Sequence, residues 1–460
     1  MIMPIKFIPL FLSVFTVLNV CVAQDVQELI LEDGYVVEKI IPCENDGFIV
    51  VSETKNAIDK EFLVEYQLYN SLNEKIDESN TSYKKRHYYW GNVSDKNLNS
   101  SLYSSTNYWA RLITNSKQGS TLNTKTKDIR SPKKSFFLEP LNIVPGNGSM
   151  FQLEDEIFVY TKSAKFVKFI KLNISSDVVT TIEIESPEVK GYTNSVLGVQ
   201  KLSEDEFIVV FDVRKSKKDA HLYVCKYNAG GELLKDYKLE DFPFVKNVSV
   251  GLIDGKLVVG GFYGIMAAGR ATGLFLCVPE DGKLVFKSNL SFEELGLSVN
   301  FSVIHELIIS DNSIIMWAES YAKEFNGYGE NKQYLGNNYS HALFLGFDLE
   351  GKYEGKSSLK IGRNRVFDDN GVCEIAKNKE GDYFVWFSGQ TYVSIHELQI
   401  DELNVSKIKV KEFKFFEKLK NDSKLKTTYC GNNSFFVCGY QQDKKDASNT
   451  TNFVTKITIE

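Results

Sequence analysis

The sequence lacks the short motifs that would assign a reaction. It contains no WD dipeptide, P-loop, HExxH or GxSxG motif. Its five histidines are scattered, and none stands at ligand spacing to another histidine or to a cysteine. We therefore predict no catalytic residue, no metal site and no cofactor. A non-enzyme is favoured over an enzyme, although acids from separate strands can converge without leaving a motif.

Excess basic charge and a long apolar segment are also missing. Lys and Arg number 54 against 60 Asp and Glu, which gives a net charge of −6. A weakly acidic chain does not favour nucleic acid, whose binding relies on basic patches. No segment after the N-terminus is apolar enough to span a bilayer. We expect neither a nucleic-acid partner nor a transmembrane segment.

The N-terminus has the pattern of a secretory signal peptide. Lys6 precedes an apolar stretch at 7–20, and Cys21-Val22-Ala23 places small residues before Gln24. We predict cleavage after Ala23, so that residues 1–23 are the signal peptide, and export to the periplasm, cell surface or medium. A lipoprotein attached at Cys21 is the alternative. The 13 Asn-x-Ser/Thr sequons leave bacterial and eukaryotic secretion both open.

A repeat runs through the mature chain. Only nine prolines and no low-complexity linker indicate one domain over 24–460. A polar turn followed by four or more apolar residues recurs, as in NKEGDYFVWFS at 378–388. The first apolar residues of the copies, here called the anchors, are Phe48, Ile157, Phe207, Leu257, Ile314, Tyr383 and Phe435. Their spacings of 109, 50, 50, 57, 69 and 52 residues suit one propeller blade each, except the first.

These units predict an all-β fold, a β-propeller of about seven four-stranded blades. Eight is the alternative, because the 109-residue gap has room for a degenerate blade between Trp90 and Ser135. We prefer an irregular insertion around 90–135, since this segment is rich in Ser, Asn and Lys. Pairing of the N-terminal strand VQELILEDGYVV with the last blade is expected to close the ring and cover open edges.

Two residue types inside the repeat are predicted to be structural. Trp317 and Trp386 occupy the same position, the fourth residue from the anchor, which indicates packing between blades rather than a sialidase Asp-box. Cys225 and Cys277 are equivalent positions of neighbouring blades, which lie beyond the Cα distance of about 7 Å that a disulfide spans. We predict free thiols for the six mature cysteines.

An insertion is the best candidate for function. Residues 321–340 separate two complete strands and hold five aromatic residues among Asn and Gly: Phe325 and the four candidate ligand-binding residues Tyr321, Tyr328, Tyr334 and Tyr339. Long loops on a rigid scaffold commonly bind ligands, and such surfaces suit an extracellular protein or a glycan. We predict an extracytoplasmic binding module. The alternative is a propeller enzyme acting on carbohydrate or another extracellular polymer, which acids with raised pKa values at the central channel would favour.

Three features together resemble a known group. They are the Ala-Gln end of the signal peptide, the segment IISDNSIIMWAESY before a Tyr-rich insertion, and turns of the FDLEGKYEGK type. They resemble uncharacterised exported proteins of Bacteroidota with propeller-like repeats, a domain of unknown function. The resemblance implies a propeller over most of the mature chain and carries over no catalytic residue.

Overall fold

The chain folds into a series of antiparallel β-sheets. The computed structural model describes residues 35–459, apart from gaps of one to five residues between strands and longer gaps at 131–149, 413–424 and 443–449. The described residues form seven four-stranded sheets and one three-stranded sheet, numbered 1 to 8 here in chain order. None of these residues lies in a helix, so no described helix is long and apolar enough to cross a bilayer.

The first four sheets take up the N-terminal half. Sheet 1 contains β1 (Tyr35–Pro42), β2 (Phe48–Thr54), β3 (Glu61–Tyr69) and β4 (Lys75–Lys84). Sheet 2 contains β5 (His87–Asp95), β6 (Leu98–Ser105), β7 (Trp109–Gln118) and β8 (Thr121–Arg130). Sheet 3 contains β9 (Met150–Leu153), β10 (Glu156–Lys162), β11 (Phe166–Asn173) and β12 (Val179–Glu185). Sheet 4 contains β13 (Thr193–Lys201), β14 (Glu206–Ser216), β15 (Asp219–Asn228) and β16 (Leu233–Glu240).

The other four sheets follow in the C-terminal half. Sheet 5 contains β17 (Phe244–Ile253), β18 (Lys256–Gly264), β19 (Ala271–Glu280) and β20 (Lys283–Ser291). Sheet 6 contains β21 (Phe301–Ile309), β22 (Ser313–Asn326), β23 (Gln333–Asp348) and β24 (Tyr353–Val366). Sheet 7 contains β25 (Cys373–Lys377), β26 (Tyr383–Ser388), β27 (Tyr392–Gln399) and β28 (Asn404–Glu412). Sheet 8 contains β29 (Lys426–Gly431), β30 (Ser434–Gln442) and β31 (Thr450–Thr458).

The sheets form the ring of a β-propeller, which confirms the predicted fold class. Seven of them are four-stranded blades, and sheet 8 has three strands. First strands of successive sheets lie against each other, as β9 does against β13 and β17 against β21, so they line the centre. Sheet 8 packs on sheet 1 and closes the ring: Phe436 lies 4.3 Å from Phe48 between ring centroids. The predicted pairing partner of the last blade falls mainly on residues 26–34, outside the described residues.

The segment around 90–135 was predicted to be an irregular insertion. Instead, it forms sheet 2 up to Arg130. Its strands pair antiparallel from His87↔Ser105 to Gln118↔Thr121, with one register shift between Tyr89 and Gly91. Sheet 2 meets sheet 1 through β4 and β8, where Ile113 and Leu122 join the apolar cluster of sheet 1. The prediction relied on apolar runs, whereas ladder hydrogen bonds also form between polar strands rich in Ser and Thr.

The turns follow from residues that tolerate a left-handed backbone. Asp254 (φ 49°) and Gly255 (φ 75°) connect β17 to β18 in a two-residue hairpin. Asn432 (φ 49°) and Asn433 (φ 53°) do the same between β29 and β30. Asp-Gly and Asn-rich pairs suit such tight turns because these residues accept positive φ at low cost. In these two repeats, the polar residues precede the buried strand because the turn requires a positive φ, which they accept.

Three of the eight first strands share an irregularity at the same place, whereas β5, β17 and β29 have a register shift elsewhere and β9 and β25 have none. One residue is left out of the pairing register of β1, β13 and β21, and it is Glu38, Leu197 and His305, respectively. In all three strands it lies opposite the point between the fourth and fifth residues counted from the anchor. A bulge of this kind bends its strand and re-aims the neighbouring side chains. The repeat therefore extends to backbone detail at the ring's centre.

Apolar side chains fill the interfaces between sheets. Phe207 of sheet 4 is fully buried, and its ring centroid lies 5.0 Å from that of Phe169 in sheet 3. Trp386 of sheet 7 lies 5.2 Å from Phe435 of sheet 8, and Trp317 joins the cluster that sheets 6 and 7 share. The prediction that both tryptophans pack between blades is confirmed.

All six cysteines of the described residues are free thiols, as predicted. Burial raises the pKa of Cys225 and of Cys438 to about 12, so these thiols resist deprotonation. We expect all six to react with a thiol reagent when the unreduced protein is denatured. In the native protein the half-buried Cys43 and Cys430 should react before the four buried cysteines. A titre below six after denaturation would contradict the free-thiol assignment.

Candidate functional site

Sheet 6 departs from the other sheets by a long hairpin. The strands β22 and β23 remain paired beyond the body of the sheet, from Tyr321↔Tyr339 to Asn326↔Gln333. The predicted loop at 321–340 is therefore mostly strand, and the earlier expectation of a loop was wrong. Two bulges in this stretch interrupt the alternation of apolar and polar residues, which hides the strands from sequence inspection. We call residues 321–340 the aromatic hairpin.

Two pairs of aromatic residues span the aromatic hairpin, with one ring of each pair on each strand. The rings of Tyr321 and Tyr339 lie 5.1 Å apart between centroids, and those of Phe325 and Tyr334 lie 5.6 Å apart. Both are directly opposed residues in the strand register. Cross-strand aromatic pairs stabilise a two-stranded ribbon that has few other contacts. The aromatic residues therefore hold the hairpin in shape as well as forming its surface.

The two pairs differ in exposure to solvent. Tyr339 is 0% exposed and Tyr321 is half-buried, whereas Phe325 is 51% and Tyr334 is 38% exposed. Of the four predicted tyrosines, Tyr334 thus presents the most surface, Tyr339 supports the hairpin from inside, and Tyr328 falls outside the described residues. Phe325 was not on the predicted list, although it stands in the same segment. Its position opposite Tyr334 became visible only with the register.

A hydrogen bond fixes Tyr334 of the exposed pair. The Tyr334 hydroxyl donates to Asn337 Oδ1 at 2.6 Å, and Asn337 is 1% exposed. On the other face of the hairpin, Asn338 Nδ2 donates to Glu324 Oε1 at 2.6 Å. The third strand β24 continues alongside and pairs Val366 with Asn337. Tyr334 is therefore held in one orientation by a buried partner.

A buried carboxylate joins sheet 6 to sheet 7 beneath the hairpin. Glu319 is 0% exposed and accepts hydrogen bonds from the backbone N–H groups of Val372 and Cys373 at 3.0 Å. His305 Nε2 lies 2.8 Å from Glu319 Oε2. Gly371 has φ +82°, and a Cβ there would stand 1.8 Å from the same oxygen. The arrangement is a structural clamp that requires glycine at its edge.

Polar bonds of this kind recur at other interfaces. Gln200 of sheet 4 exchanges two hydrogen bonds with the backbone of Val250 in sheet 5, at 2.7 and 3.0 Å. Trp386 Nε1 donates to Thr427 O in sheet 8 at 3.3 Å. Lys426 of sheet 8 reaches Glu38 Oε2 of sheet 1 at 2.9 Å. Neighbouring sheets are thus held in position by polar contacts as well as by packing, which makes the ring a rigid support for the hairpin.

Charged side chains line one part of the ring's centre. The first strands of sheets 6 and 7 place Glu306 opposite Trp317 and Glu374 opposite Trp386, at equivalent positions. Both residues are exposed to solvent in part, and protein atoms lie close around their carboxylates. Burial raises the pKa of Glu374 to about 7. It also raises the pKa of Glu306, an effect that His305 partly opposes.

Two lysines occupy the equivalent position on the first strands of the next two sheets. Lys426 lies opposite Cys438 in sheet 8, and Lys39 lies opposite Val51 in sheet 1. Burial lowers the pKa of Lys39 to about 7, with a further lowering by Lys426 and an opposing effect of Glu38. Within the described residues, no group of three or more His, Cys, Asp or Glu side chains is arranged to hold a metal ion.

No family model and no curated protein match this sequence. Among solved structures it is similar to the Dos1 propeller, with a TM-score of 0.44, 10% identity, and coverage of 93% of this chain and 95% of that chain. It is also similar to a GH93 alpha-L-arabinofuranosidase of Fusarium graminearum, with a TM-score of 0.36, 10% identity, and coverage of 67% and 91%. Against a prolyl endopeptidase the TM-score is 0.38 at 9% identity, and this chain covers only 55% of that chain. Likenesses this distant do not bear on activity, and the propeller assignment rests on the sheets themselves.

Proposed function

We propose that this protein is an extracytoplasmic binding module whose contact surface is the aromatic hairpin. The observation that carries the proposal is the Phe325–Tyr334 pair, two exposed rings directly opposed at 5.6 Å. Rigid aromatic side chains supply contact area at a low cost in conformational entropy, which is why they are frequent in binding surfaces. A propeller with pinned sheets holds such a hairpin in one place.

Export rests on the N-terminal sequence. Lys6, the apolar stretch at 7–20 and the small residues before Gln24 support a cleaved signal peptide. The resemblance to exported proteins of Bacteroidota agrees with this localisation. The partner is accordingly sought among extracellular proteins and glycans.

A shortened hairpin tests the proposal. We replace residues 325–335 by Asn-Gly, so that the pair Glu324↔Gly336 closes a two-residue turn and the buried Asn337 and Tyr339 remain. Shortening a surface connection changes closure entropy slowly, and Asn337 loses the hydrogen bond from Tyr334, so we expect the free energy of unfolding to fall by about 1–3 kcal/mol. Capture of the native partner from a glycan array or an envelope extract should be abolished.

The controls separate folding from binding. Chemical denaturation of both proteins shows whether the shortened ring is intact. If the variant unfolds, the hairpin is part of the fold rather than a surface added to it. A folded variant that binds as the full chain does would place the contact surface elsewhere and refute the proposal.

A propeller enzyme acting on carbohydrate or another extracellular polymer is the alternative. Glu306 and Glu374 support it, since they lie on first strands of neighbouring sheets and both have raised pKa values. A carboxyl group with a pKa near 7 suits a general acid. The absence of a recognisable catalytic motif makes this the second candidate. Polymer cleavage that survives in the shortened-hairpin variant would favour it.

A further inference from the structure

We infer that the outer end of the described part of the aromatic hairpin binds carbohydrate, with the Phe325–Tyr334 pair stacking on the apolar face of a sugar ring. The inference rests on the proposed function and names its ligand class. A pyranose presents a face of C–H groups and a rim of hydroxyls. An aromatic ring matches the former, and nearby polar side chains match the latter.

The geometry of the pair suits a ring-sized ligand. The centroids of Phe325 and Tyr334 lie 5.6 Å apart, and the ring planes meet at 57°. Both side chains are exposed, at 51% and 38%, respectively. Two rings inclined in this way form an open V-shaped surface of apolar atoms.

A polar group stands beside the rings. In a strand, residues two apart share one face, so Lys323 lies on the same face of β22 as Phe325. Lys323 is exposed. Its ammonium group can donate hydrogen bonds to sugar hydroxyls. This end of the hairpin thus combines an apolar contact with a donor beside it.

The rings are held ready for binding. The bond from the Tyr334 hydroxyl to the buried Asn337 restricts the torsions of that side chain before any ligand arrives. The Tyr321–Tyr339 pair beneath it, at 5.1 Å, holds the two strands together. Affinity gains when side chains need not be ordered on binding. We therefore expect Tyr334→Phe, which keeps the ring and loses this bond, to weaken binding less than Tyr334→Ala.

The experiment uses the full mature chain with a glycan microarray of neutral and acidic oligosaccharides as the probe. Binding to the glycans found is then measured by affinity electrophoresis in gels containing the corresponding soluble polysaccharide. We compare the unmodified protein with Phe325→Ala, Tyr334→Ala and Tyr334→Phe. Leu234→Ala is the matched control, because Leu234 is a 49% exposed apolar residue on sheet 4.

Phe325→Ala and Tyr334→Ala should each weaken glycan binding by about tenfold or more, with Leu234→Ala unchanged. Two results overturn the inference: glycan binding that Phe325→Ala and Tyr334→Ala leave intact, or no glycan bound by the unmodified protein. If no glycan binds but the shortened hairpin loses capture of an envelope protein, the carbohydrate assignment fails and the binding function stands. If the shortened hairpin keeps every interaction, the binding function proposed for the hairpin fails as well.

Discussion

Glu319→Ala should lower the free energy of unfolding by about 2–6 kcal/mol, the cost of leaving two backbone hydrogen-bond donors without their acceptor. The carboxylate is 0% exposed and receives the N–H groups of Val372 and Cys373 as well as His305 Nε2. Without it, two backbone donors are left buried without an acceptor, and each such group costs about 1–3 kcal/mol. Urea denaturation of the mature chain measures the change.

Glu204→Ala is the matched control. The Glu204 side chain is 81% exposed and pairs with Lys201 at 2.8 Å. Exposed ion pairs contribute roughly 0–1 kcal/mol, so this variant should unfold almost as the unmodified protein does. A loss below about 1 kcal/mol for Glu319→Ala would mean that water reaches the clamp and satisfies its donors.

Phe48→Ala should be comparably severe, with a loss of about 3–5 kcal/mol. Phe48 is 0% exposed and stacks on Tyr69 at 5.1 Å, while Phe436 of sheet 8 lies 4.3 Å away. Truncation leaves a cavity where the last sheet meets the first. The same denaturation experiment measures the effect.

Phe207→Ala provides the comparison, because Phe207 is also 0% exposed and holds the anchor position of sheet 4. Sheets 3 and 4 are consecutive in the chain, whereas sheets 8 and 1 meet from opposite ends. Equal losses for the two variants are expected if the closure is an interface like the others. A much smaller loss for Phe48→Ala would show that the ring is open in solution.

The sequence was sufficient to predict the parts of the fold that depend on local pattern. Tyr383 to Phe387 form a run that is buried on both faces, and Asp254-Gly255 marks a tight turn, so strands and hairpins were found at both places. Sheet 2 was predicted only as the alternative, a degenerate blade, because LNSSLYSS and TLNTKTKDIR contain no comparable apolar run. Their pairing depends on neighbouring strands, which a local pattern does not report.

The candidate site could be predicted only as a segment. Tyr321 and Tyr334 were identified from composition, but the burial of Tyr339 and the exposure of Phe325 depend on strand register. The clamp around Glu319 could not be predicted from the sequence for another reason. Glu319 and Cys373 lie 54 positions apart, and nothing near either residue marks the other as its partner.

The unpaired residue in β1, β13 and β21 bears on the ancestry of the ring. Glu38, Leu197 and His305 are chemically unrelated, yet each occupies the same place in its strand. A backbone feature that persists while its side chain changes is what duplication of one ancestral blade would leave behind. Comparison of these three copies with those that lack the extra residue should therefore allow a one-residue gap at this place. Without it, every residue on the N-terminal side of the gap is matched to one that points to the opposite face.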